Sequence, residues 1–135
     1  MSDLGNFGAG ACTAAALQQA GRRLDEVEYA AIYDSFTITL TILLEEIGLA
    51  PRGQAGALAR EGHFSRQGRM PLNLHGGLLS YGHCGVAGAM AHLAETHLQM
   101  TGRAGNRQAR RGGVAVLHGD GGVLSSHVSL VLESA

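Results

Sequence analysis

Lysine and tryptophan are missing from this sequence, and cysteine and proline occur twice each. Without lysine, the ten basic residues are all arginine, so no lysine is available to form a Schiff base. Two cysteines, Cys12 and Cys84, make neither a disulfide framework nor a four-ligand zinc site, and no metal is expected. A reduced, cytoplasmic setting fits that usage. Charged residues are only 16% of the chain and the net charge is −1. The balance gives no electrostatic case for nucleic acid. So little charge implies that part of the surface is covered by another protein. No apolar run reaches the ~18 residues of a membrane span, and no signal peptide is expected.

Glycine, by contrast, is abundant, with 21 in 135 residues, about twice the average share of ~7%. The length suits one domain and the 45% hydrophobic content suits one core. Residues 1–10 show no periodicity and are expected to be disordered or extended, with the domain running from 11 to 135. "ACTAAALQQAG" reads as a helix ending near Gly21. "EYAAIY", residues 28–33, reads as a short buried strand. In "DSFTITLTILLEEIG", Phe36, Leu40, Leu43, Leu44 and Ile47 share one helical face. Asp34 or Ser35 can cap that helix and Gly48 can close it.

Residues 50–72 read as a long loop carrying Arg52, Arg60, Arg66 and Arg69. A helix follows from Val86 to Met100, with Gly85, Gly88 and Ala89 as its small-residue face. Residues 102–113 form a basic, exposed connection. "GVAVLHG" and "HVSLVL" read as strands joined by the hairpin "DGGVLSS". The expected class is α/β, a mixed sheet with helices on both faces.

The glycines concentrate in "NLHGGLLSYGHCGVAG", residues 73–88, around His83. Glycine is costly in ordered structure, so this density needs a geometric reason: tight turns, close packing, or a backbone that approaches a ligand. Three polar groups occupy similar places in the pattern. Tyr33 ends a strand before a helix, His83 lies in the glycine turn before another, and His118 ends a strand before "GDGG". Ligands of open α/β sheets bind beyond the carboxyl ends of strands. A helix N-terminus beside His83 favours developing negative charge. His83 reads equally as a hydrogen-bonded turn histidine, and Tyr33 as a core tyrosine. His92 and His97, five apart, do not form a zinc pair. His63 and His75 lie in or beside the long loop, and His127 begins a strand. The loop arginines read as solvated.

"NLHGGLLSYGHCGVAGAMAHLAE" resembles the thiolase segment N-x-x-G-G-x-x-x-x-G-H-P-x-G-x-x-G. "EYAAIYDSFTITLTILLEEIGL" and "VAVLHGDGGVLSSHVSLVLE" resemble the flanking segments of sterol-carrier-type thiolases. The likeness covers residues 11–133 and only the C-terminal domain of that family. It implies a coenzyme A thioester as substrate, with no covalently bound cofactor. It places His83 at the histidine that activates a nucleophilic cysteine, and Cys84 at the usual proline. Tyr33 falls where Asn or His helps form an oxyanion hole. His118 falls near the second, acid/base cysteine, which this chain lacks, so Claisen chemistry loses its thiol. Gly82, Gly121 and Gly122 fall on the substrate-binding turns.

Tyr33 in "YDSF" and Tyr81 in "SYGH" resemble a narrower branch, the thiolase-like aldolases of steroid side-chain CoA thioesters. These work with a zinc-ribbon/OB-fold partner and use two tyrosines on the β-hydroxyl proton. Tyr81 reads equally as a packing residue. The resemblance further implies that the nucleophile belongs to an N-terminal domain not represented here. The helix at 86–100 would otherwise be buried against that domain, so the chain is expected to form a homo-oligomer or to pair with a separate N-terminal thiolase half. The functional expectation is half of an acyl-CoA C–C bond enzyme, inactive alone: retro-aldol cleavage, with thiolysis or acyl transfer second. The alternative is a non-catalytic assembly module or gene fragment.

Overall fold

The computed structural model describes residues 6–109 and 113–134. Three strands form one sheet in the order β1 (Tyr29–Ile32), β2 (Val114–Gly121), β3 (Ser126–Glu133). β1 and β2 are parallel, with Ile32 opposite His118, whereas β2 and β3 are antiparallel, with His118 opposite Ser129. The sheet is therefore mixed, as expected. Alternation along the strands sends side chains to two faces. Ala30, Ile32, Val114 and Val116 join one apolar cluster, and Tyr29, Ala31, Ala115 and Leu117 join the other.

Helices α1 (Ala9–Ala20) and α2 (Thr37–Ile47) cover the first face through Leu17, Leu43, Leu44 and Ile47. Helix α5 (Gly88–Met100) covers the second, where Met100 and Leu93 pack. α1 and α2 approach closely at Gly10, where an added Cβ would lie 2.5 Å from the Glu46 carbonyl oxygen. Gly21 and Gly48 close α1 and α2 in the left-handed conformation, at φ 65° and 90°. Glycine adopts these angles without a Cβ clash.

Several expectations change. α1 starts at Ala9, because Gly8 turns the chain at φ 102° and the Phe7 and Gly8 N–H groups donate to Glu46. The rest of the expected tail, residues 1–5, lies outside the described residues. α2 has Phe36 at its cap position with no side-chain cap bond, and Phe36 is 63% exposed rather than on the buried face. Asp34 is engaged elsewhere. The stretch 50–72 is not all loop: α3 spans Ala55–Arg60, and Ala55 and Met70 are buried in the core. Its four arginines are exposed. Between the strands, the connection after α5 is tied down by Gln99, whose Oε1 accepts the Ala109 N–H and whose Nε2 donates to the Arg107 carbonyl. Of the expected basic connection, 110–112 lie outside the described residues.

Asn73 opens the glycine segment and holds it to the sheet. It sits at φ 47°, a conformation that asparagine tolerates better than most residues. Its side chain accepts the Ile32 N–H at 2.9 Å and donates to the Ile32 carbonyl at 2.7 Å. The two bonds satisfy the outer edge of β1 exactly where the strand ends and Tyr33 begins, since β2 occupies its other edge.

Candidate functional site

Tyr33 and His83 meet. Tyr33 follows β1 directly, and its N–H donates to the His118 carbonyl. Its phenol oxygen lies 2.7 Å from His83 Nε2 although the residues are 50 apart in the chain. His83 sits between α4 (Gly77–Ser80) and the 3-10 turn Gly85–Ala87 that leads into α5. The Gly85 N–H donates to His83 Nδ1 at 3.0 Å. That bond needs a bare Nδ1, so the neutral ring carries its proton on Nε2. Nε2–H then donates to the Tyr33 oxygen, which leaves the Tyr33 hydroxyl proton free for a ligand.

The glycines around the pair have distinct work. Gly82 at φ 130° and Gly85 at φ 72° turn the backbone, and a Cβ at either would meet open space. Their need is conformational. Gly88 is spatial: a Cβ there would press on Leu78 at 3.2 Å and approach His83 Nε2 at 3.6 Å. α5 can therefore pass close under the histidine.

Electrostatics hold Tyr33 protonated. Its pKa is raised, first by burial and then by the nearby Asp120 and Asp34 carboxylates. Asp120 itself accepts the Leu124 N–H at 2.8 Å and fastens the β2–β3 turn. That turn holds Gly122, Val123 and Leu124 at φ 61°, 56° and 60°. Gly122 takes this conformation freely, whereas Val123 and Leu124, the first β-branched, store backbone strain beside Asp120.

Gly82 adjoins the pair, but Tyr81 and His118 fall elsewhere. Tyr81 is 70% exposed, and its ring packs on His75 at a centroid distance of 5.7 Å. It opens onto a cleft of about 330 Å³ shared with Glu95 and Arg107. A row of rings connects it to the pair: His75 stands 4.9 Å from His92, and His92 lies 6.4 Å from Tyr33, both between centroids. His118 does not join them. It lies inside β2, not at its end, and strand alternation turns it to the α1 face. There it is 1% exposed, with Nδ1 2.7 Å from the Ser129 hydroxyl and Nε2 3.2 Å from His127 Nδ1. His127 Nε2 reaches the Phe7 carbonyl at 2.9 Å, and Thr13 Oγ1 lies 2.9 Å from Ser129 Oγ. Burial and the neighbouring His127 push the His118 pKa down to about 4. Gly121 ends β2 and Gly122 opens the strained turn.

Sequence reasoning missed Asp34 and His92. Asp34 is 3% exposed and its Oδ1 accepts the Leu78 N–H at 2.8 Å. His92 is 1% exposed, with Nε2 3.2 Å from Asp34 Oδ1. The distance is that of an ion pair, but the alignment is off the hydrogen-bond line, and neither ring nitrogen has a partner among the described residues. The Asp34 pKa is lowered: burial pushes upward, and the nearby His92 ring and the Leu78 N–H bond outweigh it. The available signal was an acid immediately after the strand-ending tyrosine. No group of three or more metal-ligating side chains forms among the described residues. Nor is any helix among them long and apolar enough to cross a membrane.

Comparison with known proteins bears on this geometry. Sterol carrier protein 2 of Oryctolagus cuniculus is 34% identical over 101 residues, 75% of this chain and 18% of that protein. The acetyl-CoA acetyltransferase of Methanothermobacter thermautotrophicus is 29% identical over 106 residues, 76% of this chain and 28% of that one. The 17-hydroxy-3-oxo-4-pregnene-20-carboxyl-CoA lyase of Mycobacterium tuberculosis is 36% identical over 82 residues, 58% of this chain and 21% of the lyase. A solved Ltp2-ChsH2(DUF35) aldolase superposes with a TM-score of 0.81 at 26% identity, over 93% of this chain and 31% of that chain. The chain thus spans less than a third of the length of each of these relatives. The family described as "Thiolase C-terminal domain-like" matches residues 1–134, and the chain belongs to it.

Proposed function

We propose that the chain supplies the Tyr33–His83 half of a thiolase-like site that breaks or makes a C–C bond in acyl-CoA thioesters. The observation that carries this reading is the 2.7 Å contact between the phenol oxygen and Nε2, with Gly85 fixing the imidazole behind it. A neutral phenol with its proton free is a hydrogen-bond donor. Donors aimed at an oxygen that gains negative charge are worth about 10²–10³ in rate. The thioester carbonyl becomes such an oxygen when the neighbouring C–C bond breaks to an enolate. Tyr33 donates to it, and His83 supports the phenol from behind.

Retro-aldol cleavage of a β-hydroxyacyl-CoA is the reaction favoured. The β2–β3 turn offers Asp120 and glycines where thiolysis calls on a second thiol, and the chain's cysteines are Cys12 in α1 and Cys84 beside His83. The lyase and aldolase relatives support the same choice. Coenzyme A is the substrate's carrier, not a resident cofactor.

A second polypeptide completes the site. Leu79, Tyr81, Val86 and Met90, in and beside the segment that carries His83, are exposed, as is Val123 in the β2–β3 turn. Apolar surface gathered at one place marks an interaction face. The reading assigns it to a nucleophile-bearing thiolase half, with a second copy of the chain or a zinc-ribbon/OB-fold protein as further partners. The test is reconstitution with such a half, followed by turnover of a β-hydroxyacyl-CoA. His83→Ala is expected to lower turnover at least ~100-fold, the range of lost acid–base or oxyanion support. Unchanged turnover rejects the role. The exposed collar also favours the rival reading, a non-catalytic assembly module. A stable dimer that binds no CoA thioester in calorimetry would establish it.

A further inference from the structure

The Tyr33–His83 contact joins two segments that nothing in the covalent chain holds together. Tyr33 belongs to the turn after β1. His83 belongs to the stretch that runs from Gly76 through α4 to α5. Asn73 ties the start of the glycine segment to Ile32, and a second side chain reaches further along, to α4. Asp34, the residue after Tyr33, places Oδ1 2.8 Å from the Leu78 N–H and Oδ2 3.5 Å from the Leu79 N–H. Both amides belong to α4, which leads in five residues from Leu78 to His83. On its other side Asp34 Oδ1 faces His92 Nε2 at 3.2 Å, and the His92 ring lies against Tyr33 at an interplanar angle of 27°.

Gly77 shows that the fit is tight. Its φ is +62°, and an added Cβ would overlap the Asp34 carboxylate. Gly77 thus makes room for a carboxylate, not for a ligand. A buried carboxylate is costly unless its oxygens are satisfied by hydrogen bonds. Here two amides and an imidazole face it, so moving it means losing several interactions together.

We propose that Asp34, seated against His92 and Gly77, is the positioning residue that sets the Tyr33–His83 contact. It acts through the backbone of α4 on one side and through the His92 ring on the other. It does not touch the reacting end itself. The inference rests on the reading of Tyr33 and His83 as the functional pair, but its test needs no substrate.

The test is the nitrogen-15 spectrum of the histidine side chains in the full chain at neutral pH. The wild-type His83 should show one locked tautomer, with Nε2 protonated and Nδ1 bare. Asp34→Ala and Gly77→Ala attack the carboxylate from opposite sides, and each is expected to unlock His83 into exchanging tautomers. His118 and His127, on the opposite face of the sheet, are the internal control and should stay unchanged. Asp34→Asn keeps one acceptor for Leu78 but loses the charge and the second acceptor. It should give an intermediate loss of locking, and it remains informative where Asp34→Ala does not fold. A folded Asp34→Ala or Asp34→Asn protein with His83 locked as in the wild type overturns the inference. An unlocked His83 with full turnover in the reconstituted enzyme would instead sink the proposed function and leave the positioning role intact.

Discussion

Lowering the pH should weaken this fold through one buried ring. His118 is neutral in the folded chain, with its pKa brought down from 6.5 to about 4 by burial and by His127. The unfolded chain takes up this proton near pH 6.5, and the folded chain resists until about pH 4. The neutral ring's contribution is therefore complete above pH 6.5 and disappears as pH falls towards 4. The gap corresponds to about 3 kcal/mol in total, of which about 2 kcal/mol is lost by pH 5. Urea unfolding at a series of pH values reads it directly. Burial also lowers the His75 pKa, and Asp34, Glu45 and Glu133 have lowered pKa values in the folded chain, so the wild type alone does not isolate His118. The comparison is with His118→Gln, which removes the titrating ring and leaves the other groups. The variant starts lower at neutral pH, having lost part of the Ser129–His118–His127 chain of bonds. Its curve should then fall less steeply, by about 2 kcal/mol between pH 7 and pH 5. Parallel curves would refute the burial of a neutral imidazole on the α1 face.

Other perturbations have equally definite outcomes. Val123→Gly should stabilise the chain by about 1 kcal/mol, because φ 56° strains a β-branched residue whose side chain is exposed; a lower melting temperature would contradict the left-handed turn. Gly10→Ala should cost about 2 kcal/mol or more, since the new methyl meets the Glu46 backbone and α1 must retreat from α2, and a melting temperature equal to the wild type would show that the helices do not cross there. Asn73→Ala should cost roughly 2–3 kcal/mol by leaving the Ile32 N–H and carbonyl without their side-chain partner, measured by urea unfolding; a loss below about 0.5 kcal/mol would mean that water replaces both bonds.

Much of the architecture was legible because β1 and β2 are short apolar runs and the helices are bounded by glycines. The structure adds the two faces: Ala30, Ile32, Val114 and Val116 sit in one cluster and Tyr29, Ala31, Ala115 and Leu117 in the other. Glycines at 21 and 48 marked helix ends because only that backbone closes them cheaply. α3 was hidden because six residues carry too little pattern to rise above the surrounding glycines and prolines. Phe36 matched the helical spacing, yet it precedes the first turn of α2 and so does not share its buried face. Tyr33 and His83 were legible as neighbours of strand end and helix start. His118 misled for a simple reason: β2 continues to Gly121, so His118 obeys the alternation of a strand interior and turns to the wrong face. Asp34 was read as a helix cap because a sequence shows which acceptors are local, not which amides arrive from forty residues away.

The protonation of Tyr33 decides how this half-site can take part in a reaction. A tyrosine that removes a β-hydroxyl proton must first give up its own. That calls for positive charge nearby, and the groups acting on Tyr33 are carboxylates and burial, both of which hold the proton in place. His83 presents Nε2–H to the phenol oxygen, a support for charge that is weaker than a full cation. Tyr81, the other tyrosine of the resemblance, packs on His75 at the far end of the ring row. Under the proposed function Tyr33, His83 and Asp34 are the donor side of the site: a phenol proton with no acceptor in the pair, an imidazole behind it, and the carboxylate proposed to keep both in register. On that proposal the base that takes the β-hydroxyl proton comes from the second polypeptide, and a partner that covered the exposed apolar residues without supplying a base would leave the chain an assembly module.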